Sequence, residues 1–226
     1  SLCFDGPDDA LMLTENTQPA ILAVSVAVYR LLVSRGISPD CVAGHSLGEY
    51  SAHVAAGTLS FADTLRTVRR RGRYMQEAVP VGKGAMAAIL GLHEKTVSRA
   101  CKDVSFGDVV SPANLNAPGQ VVIAGEIEAV KRASVRSKEL GARKILPLPV
   151  SAPFHCSLMM PAQERLEPEL RSLVASDPKI PVVANVDAEP KQTAASAIDA
   201  LVRQVSAPVL WEGVVRRLAS SGVDIY

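Results

Sequence analysis

The distribution of apolar residues along the chain predicts alternating helices and strands. The longest apolar stretch, residues 20–33, follows Thr17 and Pro19 and ends before Gly36. A threonine cap, a proline in the first turn and a glycine at the end are typical of a buried helix. Residues 1–13 show neither a helical nor a strand period, so the sequence predicts no complete element there.

The segment after residue 80 has a pattern of its own. Strands are predicted at 84–90, 109–116, 120–124 and 142–149, and helices at 94–104 and 127–140. This β-α-β-β-α-β order is the ferredoxin-like pattern. On either side the pattern predicts helices at 47–56, 61–79, 160–174, 194–204 and 209–220, and strands at 41–43, 181–185 and 223–226, the last one incomplete.

Together these elements predict an α/β fold with two parts. We expect an α/β-hydrolase-like parallel-sheet domain formed by residues 1–81 and 152–226. We expect residues 82–151 to form an inserted ferredoxin-like α+β subdomain.

Composition and charge exclude several classes of protein. The chain is 48% apolar and 21% charged, which is ordinary for a globular protein. The net charge is +1 and only 4% of residues are aromatic, so we expect no nucleic-acid partner. The stretch 20–33 is shorter than the ~20 residues that span a bilayer, so we expect no membrane segment. Four widely spaced cysteines without a C-x-x-C pair predict neither a zinc site nor a disulfide framework and favour a reducing, cytoplasmic location.

The sequence Gly44-His45-Ser46-Leu47-Gly48 fits G-x-S-x-G between a predicted strand and a predicted helix. That is the context of a nucleophile elbow, where glycines permit a sharp turn that exposes the serine hydroxyl. The backbone N–H of Leu47, at the start of the helix, can donate to an oxyanion. The sequence therefore predicts Ser46 as a nucleophile.

A serine nucleophile needs a general base, and His155 is the best candidate in the sequence. It follows Pro153 in a loop after the predicted insert, and a rigid loop helps a base to hold its position. It also follows Ser46 in the chain, as in α/β-hydrolases. No aspartate stands in a recognisable position for a triad acid, so a backbone carbonyl could orient the histidine.

The predicted helix 61–79 carries consecutive arginines, of which two are candidates for a ligand-binding role. At about 100° per residue, Arg69 and Arg71 lie on opposite flanks of the apolar stripe, and either could reach a pocket. A guanidinium there could grip a carboxylate. The spacing alone does not choose between them.

Four segments together resemble the malonyl-CoA:acyl-carrier-protein transacylases of type II fatty acid synthesis. They are Gly-His-Ser-Leu-Gly-Glu-Tyr-Ser-Ala at 44–52, Arg-Gly-Arg-Tyr-Met-Gln-Glu-Ala-Val-Pro at 71–80, Asn-Ala-Pro-Gly-Gln-Val-Val-Ile-Ala-Gly at 116–125 and Ser-Ala-Pro-Phe-His-Cys at 151–156. The acyltransferase domains of polyketide synthases are related to these enzymes. The likeness extends over essentially the whole chain.

The resemblance implies a role for several residues. Ser46 matches the nucleophile that takes up the malonyl group, and His155 matches its general base. Arg71 matches the arginine that binds the malonyl carboxylate. Gln204 matches a residue whose backbone carbonyl orients the histidine, and Leu47 N–H matches an oxyanion donor.

The resemblance also implies partners and leaves alternatives open. It implies malonyl-CoA and the phosphopantetheine arm of acyl carrier protein as substrates, no metal or other cofactor, and a monomer. His45 and Asn116 lie in the shared segments without an assigned role. A serine esterase is one alternative function. A module that only docks carrier protein is another, through basic residues of the insert: Lys131, Arg132, Arg136, Lys138, Arg143 and Lys144.

The ends of the chain depart from the family pattern. The family begins with a strand and a Gly-Gln-Gly-Ser-Gln loop, whose glutamine supplies a second oxyanion donor, and it continues past residue 226. Neither segment is present in this sequence. We therefore expect the chain to be a fragment of a longer protein.

Overall fold

The computed structural model describes residues 2–150 and 152–225, and helices and strands are interspersed along it. The helices are α1 (Leu2–Asp5), α2 (Asp8–Met12), α3 (Thr14–Ser34), α4 (Leu47–Ala55), α5 (Phe61–Glu77), α6 (Glu94–Val104), α7 (Ile127–Glu139), α8 (Met160–Arg171), α9 (Ala194–Gln204) and α10 (Trp211–Ser220). The strands are β1 (Val42–Ala43), β2 (Gly84–Leu90), β3 (Val110–Ala117), β4 (Gln120–Glu126), β5 (Lys144–Pro147), β6 (Val182–Val183) and β7 (Pro190–Lys191). The predicted mixed α/β fold is confirmed.

The strands form two separate sheets, and the smaller sheet supports the nucleophile motif. In it β1 pairs with β6 in parallel, and β6 pairs with β7 antiparallel. Among the described residues, β1 and β6 are the only two named strands that pair in parallel. The parallel sheet is therefore much smaller than predicted. Residues 223–225 form no strand, and residue 226 of the predicted last strand lies outside the described residues.

The larger sheet is antiparallel, with the strand order β3-β4-β2-β5. Both of its faces are covered, which explains why β2 reads as a continuous apolar run. Ala87 and Ile89 face the core shared with α6 and α7. Met86 and Ala88 face the other way, against a cluster that includes Cys156. The sheet therefore packs directly on the loop that carries His155.

Helix α3 begins earlier than its sequence predicts. It starts at Thr14, and Pro19 lies inside it rather than in the first turn. Thr17 does not cap the helix, because its hydroxyl donates to the carbonyl oxygen of Leu11 at 2.5 Å. The prediction that residues 1–13 lack helices is also wrong, since α1 and α2 lie there.

By length and composition alone, α3 could span a membrane, with 21 residues and a mean hydropathy of 1.4. Leu22 and Val26, however, are buried in a hydrophobic core that α3 shares with α4, α5, α8 and α9. Packing of this kind also occurs in the apolar core helices of globular proteins. The remaining apolar side chains on the outer face of α3 are about half exposed, among them Ile21, Val24, Val28 and Leu31.

Helix α5 lies against α3, and a glycine sets their distance. A Cβ on Gly72 would lie 2.6 Å from the carbonyl oxygen of Thr14. The predicted start of α5 is confirmed, since the Ser60 hydroxyl accepts a hydrogen bond from the N–H of Asp63 at 3.1 Å. This close packing places the buried side chains of Gln18 and Arg71 side by side.

The turn from β1 into α4 is also set by close backbone contact. A Cβ on Gly44 would lie 2.0 Å from the carbonyl carbon of Gly48, so a larger residue cannot fit without moving the helix. At Gly48 a Cβ would meet no atom within 4 Å outside its own helix. The two glycines of the motif therefore have different physical roles.

We expect Gly44→Ala to lower the free energy of unfolding by about 2 kcal/mol or more, because the added methyl overlaps the backbone. Gly48→Ala is the matched control and should leave stability unchanged or raise it by up to about 1 kcal/mol, because alanine favours helix. Urea unfolding followed by circular dichroism measures both. Equal effects of the two substitutions would contradict this description of the turn.

Candidate active site

Ser46 stands at the tip of the turn between β1 and α4 in a strained backbone conformation. Its φ is 52° and its ψ is −105°, a region that residues other than glycine rarely occupy. Two side-chain amides hold this conformation. The Ser46 N–H donates to Oδ1 of Asn185 at 2.6 Å, and the Ser46 carbonyl accepts from Nε2 of Gln204 at 2.9 Å.

The side chains of Ser46 and His155 lie in hydrogen-bonding contact. The distance from Ser46 Oγ to His155 Nε2 is 2.8 Å. On the other side of the ring, Nδ1 lies 3.0 Å from the carbonyl oxygen of Gln204. A carbonyl only accepts, so Nδ1 carries the proton and Nε2 is free to accept the serine hydroxyl proton.

Burial keeps His155 neutral. The residue is 3% exposed, and burial together with the charge of Arg71 lowers its pKa to about 3. The hydrogen bond to Gln204 opposes this shift without overcoming it. At neutral pH the imidazole is therefore an unprotonated base in contact with Ser46.

Arg71 points into the same site, whereas Arg69 is exposed. The guanidinium is 2% exposed and donates from Nη2 to Ser46 Oγ at 3.1 Å and to Gln204 Oε1 at 2.9 Å. Nη1 donates to Gln18 Oε1 at 2.8 Å. Within the described part of the chain, Arg71 forms no ion pair within 4.0 Å. A buried cation held only by neutral groups is suited to bind an anion.

Two other residues of α4 contribute to the electrostatics around Arg71. The guanidinium carbon lies 5.3 Å from the centre of the Tyr50 ring, a cation–π contact. Glu49 is fully buried, and burial raises its pKa to about 7 although hydrogen bonds and Arg71 oppose the shift. Burial lowers the pKa of the Arg71 guanidinium, and Tyr50 and Glu49 oppose this shift, which favours the protonated form.

Leu47 is the first residue of α4, directly after Ser46. The first N–H groups of a helix have no acceptor within the helix, and they lie at the positive end of its dipole. The N–H of Leu47 therefore lies beside the predicted nucleophile and is not used in a hydrogen bond within the helix.

His45 and Asn116 connect the turn to the antiparallel sheet. His45 Nε2 lies 2.9 Å from Oδ1 of Asn116, at the end of β3, and the His45 ring packs 5.5 Å from the ring of Trp211. The contact joins the two parts of the fold next to Ser46. His45 and Asn116 therefore have a structural role in this contact, whereas the sequence alone assigned them no role.

Three polar residues of the site were missed in the sequence. Asn185 follows β6, Glu49 lies in the first turn of α4, and Gln18 interrupts the apolar face of α3. A polar side chain in an apolar helix was the one signal that could have identified Gln18. Asn185 carried no such signal, because its partners lie more than a hundred positions away in the chain.

The basic side chains of the predicted docking cluster are largely engaged with neighbouring residues. Lys131, Arg132 and Arg136 each form an ion pair with an acidic neighbour at 3.0 Å or less. Lys138 donates to the carbonyl oxygen of Ala142 at 3.2 Å. The charge offered to a docking partner is therefore smaller than the sequence indicates.

The described residues contain no group of three or more His, Cys, Asp or Glu side chains that could hold a metal ion. All four cysteines, Cys3, Cys41, Cys101 and Cys156, are free thiols.

Comparison with known proteins identifies relatives that are similar in sequence over nearly the whole chain. The curated malonyl CoA-acyl carrier protein transacylase of Escherichia coli K12 is 50% identical over 225 residues, covering 99% of this chain and 73% of that protein. The protein of the same name from Bacillus subtilis 168 is 46% identical over 227 residues, covering 100% of this chain and 72% of that protein.

Solved structures give the same result for the fold. An acyl carrier protein S-malonyltransferase from Vibrio cholerae matches with a TM-score of 0.96 and 49% identity, over 98% of this chain and 73% of that chain. A malonyl-transacylase in complex with its type II PKS acyl-carrier protein also matches with a TM-score of 0.96 and 49% identity, over 98% of this chain and 72% of that chain. The acyl transferase domain family matches residues 3–225. The chain therefore belongs to the acyl transferase domain family.

Proposed function

We propose that the chain transfers a malonyl group from malonyl-CoA to the phosphopantetheine thiol of acyl carrier protein, in fatty acid biosynthesis. One observation supports this most strongly. The Ser46 hydroxyl lies 2.8 Å from a neutral histidine and 3.1 Å from a buried arginine that has no carboxylate partner among the described residues. A nucleophile beside a free cation suits a thioester that carries its own carboxylate. The names of the relatives agree with this substrate.

The first half of the reaction forms an ester on Ser46. His155 Nε2 takes the hydroxyl proton while Oγ attacks the thioester carbonyl carbon. The oxygen of the tetrahedral intermediate gains negative charge, which the N–H of Leu47 stabilises. The C–S bond then breaks, His155 returns the proton to the sulfur, and CoA leaves.

The second half reverses these steps with a different thiol. His155 takes the proton of the phosphopantetheine thiol, and the sulfur attacks the malonyl-Ser46 carbonyl. The ester C–O bond breaks, and the proton passes from His155 to Ser46 Oγ. Each step is a nucleophilic attack or a proton transfer between side chains, so we propose that no metal or redox cofactor takes part.

Arg71 and Gln204 hold the reacting groups in this proposal. Arg71 binds the malonyl carboxylate and thereby selects against acetyl-CoA. The carbonyl of Gln204 takes the place of a triad acid, because it fixes His155 in the tautomer that leaves Nε2 free. A carbonyl performs this task without adding a negative charge.

Two alternatives place the same residues in a different function. In a serine esterase, water would replace the carrier thiol, but a buried arginine beside the nucleophile has no evident use for an ordinary ester. An acyltransferase domain of a polyketide synthase would use the same chemistry, and one structural relative is bound to a carrier protein of that kind. The proposed transfer to a carrier thiol is common to both acyltransferase types.

We also propose how the chain is organised. Residues 1–81 and 152–226 would form an α/β-hydrolase-like catalytic domain, and residues 82–151 an inserted ferredoxin-like subdomain. The antiparallel order β3-β4-β2-β5, with two helices on one face, supports the second assignment. We propose a soluble, cytoplasmic monomer, in line with the free cysteines and the polar balance of the chain.

The proposed function predicts a covalent intermediate on one residue. After brief exposure to malonyl-CoA, intact-protein mass spectrometry should show one added malonyl group, and peptide analysis should place it on Ser46. Ser46→Ala should abolish the addition, whereas Ser34→Ala, which changes an exposed serine, should not. An unmodified wild-type chain would count against the proposal.

Substitution of Arg71 should reduce malonyl transfer strongly, whereas substitution of Arg69 should have little effect. Arg71→Ala should reduce malonyl transfer by about 100-fold or more, since hydrogen bonds to a charged group are worth about 1.5–3 kcal/mol each. Acetyl transfer should fall far less, because acetyl lacks the carboxylate. Arg69→Ala, on the exposed side of the same helix, should leave both rates within about twofold. Steady-state kinetics with both thioesters measure this, and an equal loss for malonyl and acetyl would refute the role of Arg71.

The low pKa of His155 predicts an unusual pH profile. A histidine with an ordinary pKa of 6.5 would lose basicity as the pH falls through that value, but His155 stays neutral down to about pH 3. We therefore expect the second-order rate constant for acylation of Ser46, measured at malonyl-CoA concentrations well below saturation so that it reports the free enzyme, to remain flat from about pH 7.5 to about pH 5. Rapid-quench mass spectrometry measures this rate. An acidic limb centred near pH 6.5 would contradict the description of the base.

A further inference from the structure

Glu49 is a buried carboxylate behind the nucleophile, and no step of the proposed reaction uses it. It lies in the first turn of α4, directly beneath the turn that carries Ser46, and it is 0% exposed. Burial of a carboxyl group is costly unless its oxygens are hydrogen-bonded. The hydrogen bonds of Glu49 therefore indicate which role the buried carboxyl group has in the site.

One oxygen of Glu49 makes both of its hydrogen bonds. Oε2 accepts from the backbone N–H of Asn185 at 2.9 Å and from the side-chain Nε2 of Gln204 at 2.8 Å. Oε1 has no hydrogen-bond partner within the described residues. Because both neighbours of Oε2 are donors, this oxygen acts as an acceptor whether or not a proton resides on Oε1.

The amide of Gln204 lies between Glu49 and Arg71. Its NH₂ end donates to Glu49 and to the carbonyl of Ser46, and its oxygen accepts from Arg71 Nη2 at 2.9 Å. In the flipped orientation, two oxygens would face each other on one side and two donors on the other. The acceptor at Glu49, together with the Ser46 carbonyl on the same side, therefore leaves the amide only one favourable orientation.

This orientation determines how Arg71 is held. The oxygen of Gln204 fixes Nη2, the same nitrogen that lies 3.1 Å from Ser46 Oγ. Gln18 fixes Nη1 on the other side. With the Gln204 amide flipped, Nη2 would lose this acceptor and face another donor, and the buried guanidinium would move.

We propose that Glu49 is a positioning residue that fixes the Gln204 amide and, through it, the carboxylate-binding geometry of Arg71. It touches neither the substrate nor the reacting atoms. Its effect is on the preference for a thioester with a free carboxylate, and this assignment rests on the proposed function.

Equilibrium binding separates this role from the chemistry. In the full chain with Ser46→Ala, which prevents acylation, calorimetry measures the affinities for malonyl-CoA and acetyl-CoA. Adding Glu49→Met removes the acceptor but fills the space, and it should reduce the malonyl-to-acetyl affinity ratio by about tenfold or more, as expected for one hydrogen bond to a charged group. Glu49→Gln retains an acceptor and should keep the ratio within about threefold.

A double-mutant cycle tests whether Glu49 acts through Gln204. Gln204→Met removes the side-chain amide, leaves the backbone carbonyl, and should reduce the ratio as much as Glu49→Met does. The double variant Glu49→Met with Gln204→Met should be no worse than Gln204→Met alone. Additive losses would overturn the inference, and so would an unchanged ratio in Glu49→Met. Glu128→Met, on the exposed face of α7, is the matched control and should change nothing.

The possible failures are distinguishable. If Glu49→Met does not fold, Gln204→Met decides, and an unchanged ratio in that variant overturns the inference. If the wild-type chain forms no malonyl-Ser46 while Glu49→Met still reduces the ratio, the proposed reaction fails and the positioning role stands. If the Ser46→Ala chain binds malonyl-CoA and acetyl-CoA equally well, the positioning role of Glu49 and the carboxylate-binding role of Arg71 are both overturned. This holds whether or not the wild-type chain forms malonyl-Ser46.

Discussion

The hydrogen bonds of Gln204 are the constraint on which the geometry of the site depends. Its backbone carbonyl accepts from His155, its side-chain oxygen accepts from Arg71, and its side-chain nitrogen donates to the carbonyl of Ser46 and to Glu49. Gln204 is fully buried, so water does not compete for these bonds. A displacement of this one residue would therefore change the base, the cation and the strained turn together.

Burial gives the site two electrostatic properties at once. It keeps His155 neutral, and it leaves the Arg71 charge without a carboxylate partner in the described part of the chain. Arg71 itself helps to lower the pKa of His155. In the proposed reaction a carboxylate bound to Arg71 would offset that influence, so His155 would become a stronger base when the substrate is in place. Substrate binding and proton transfer are thereby linked through one charge.

The sequence predicted the parts of the site that a local motif encodes. Ser46 was predicted from two glycines between a strand and a helix, and the structure places it at such a turn. His155 and Arg71, whose choice over Arg69 came from the family resemblance, lie beside it. The supporting residues Asn185 and Glu49 were missed, because their hydrogen bonds join positions far apart in the chain, which periodicity does not reveal.

The same distinction holds for the fold. The boundaries of β2, α6 and α9 were predicted as observed, since the two helices have a clear period and β2 is a continuous apolar run with well-defined ends. The start of α3 was wrong, because Pro19 favoured a first turn but lies inside the helix. The extent of the parallel sheet was overestimated as well. The apolar runs at 41–43 and 181–185 indicate that these residues are buried, whereas the length of a strand depends on how many residues pair with the neighbouring strand.

The fold holds a neutral, correctly oriented base against Ser46 before any substrate binds. Nitrogen NMR of ¹⁵N-histidine-labelled protein tests it directly, with His155→Gln used to assign the signal. At neutral pH we expect a neutral imidazole with its proton on Nδ1 and an unprotonated Nε2. A doubly protonated ring, or a proton on Nε2, would contradict it.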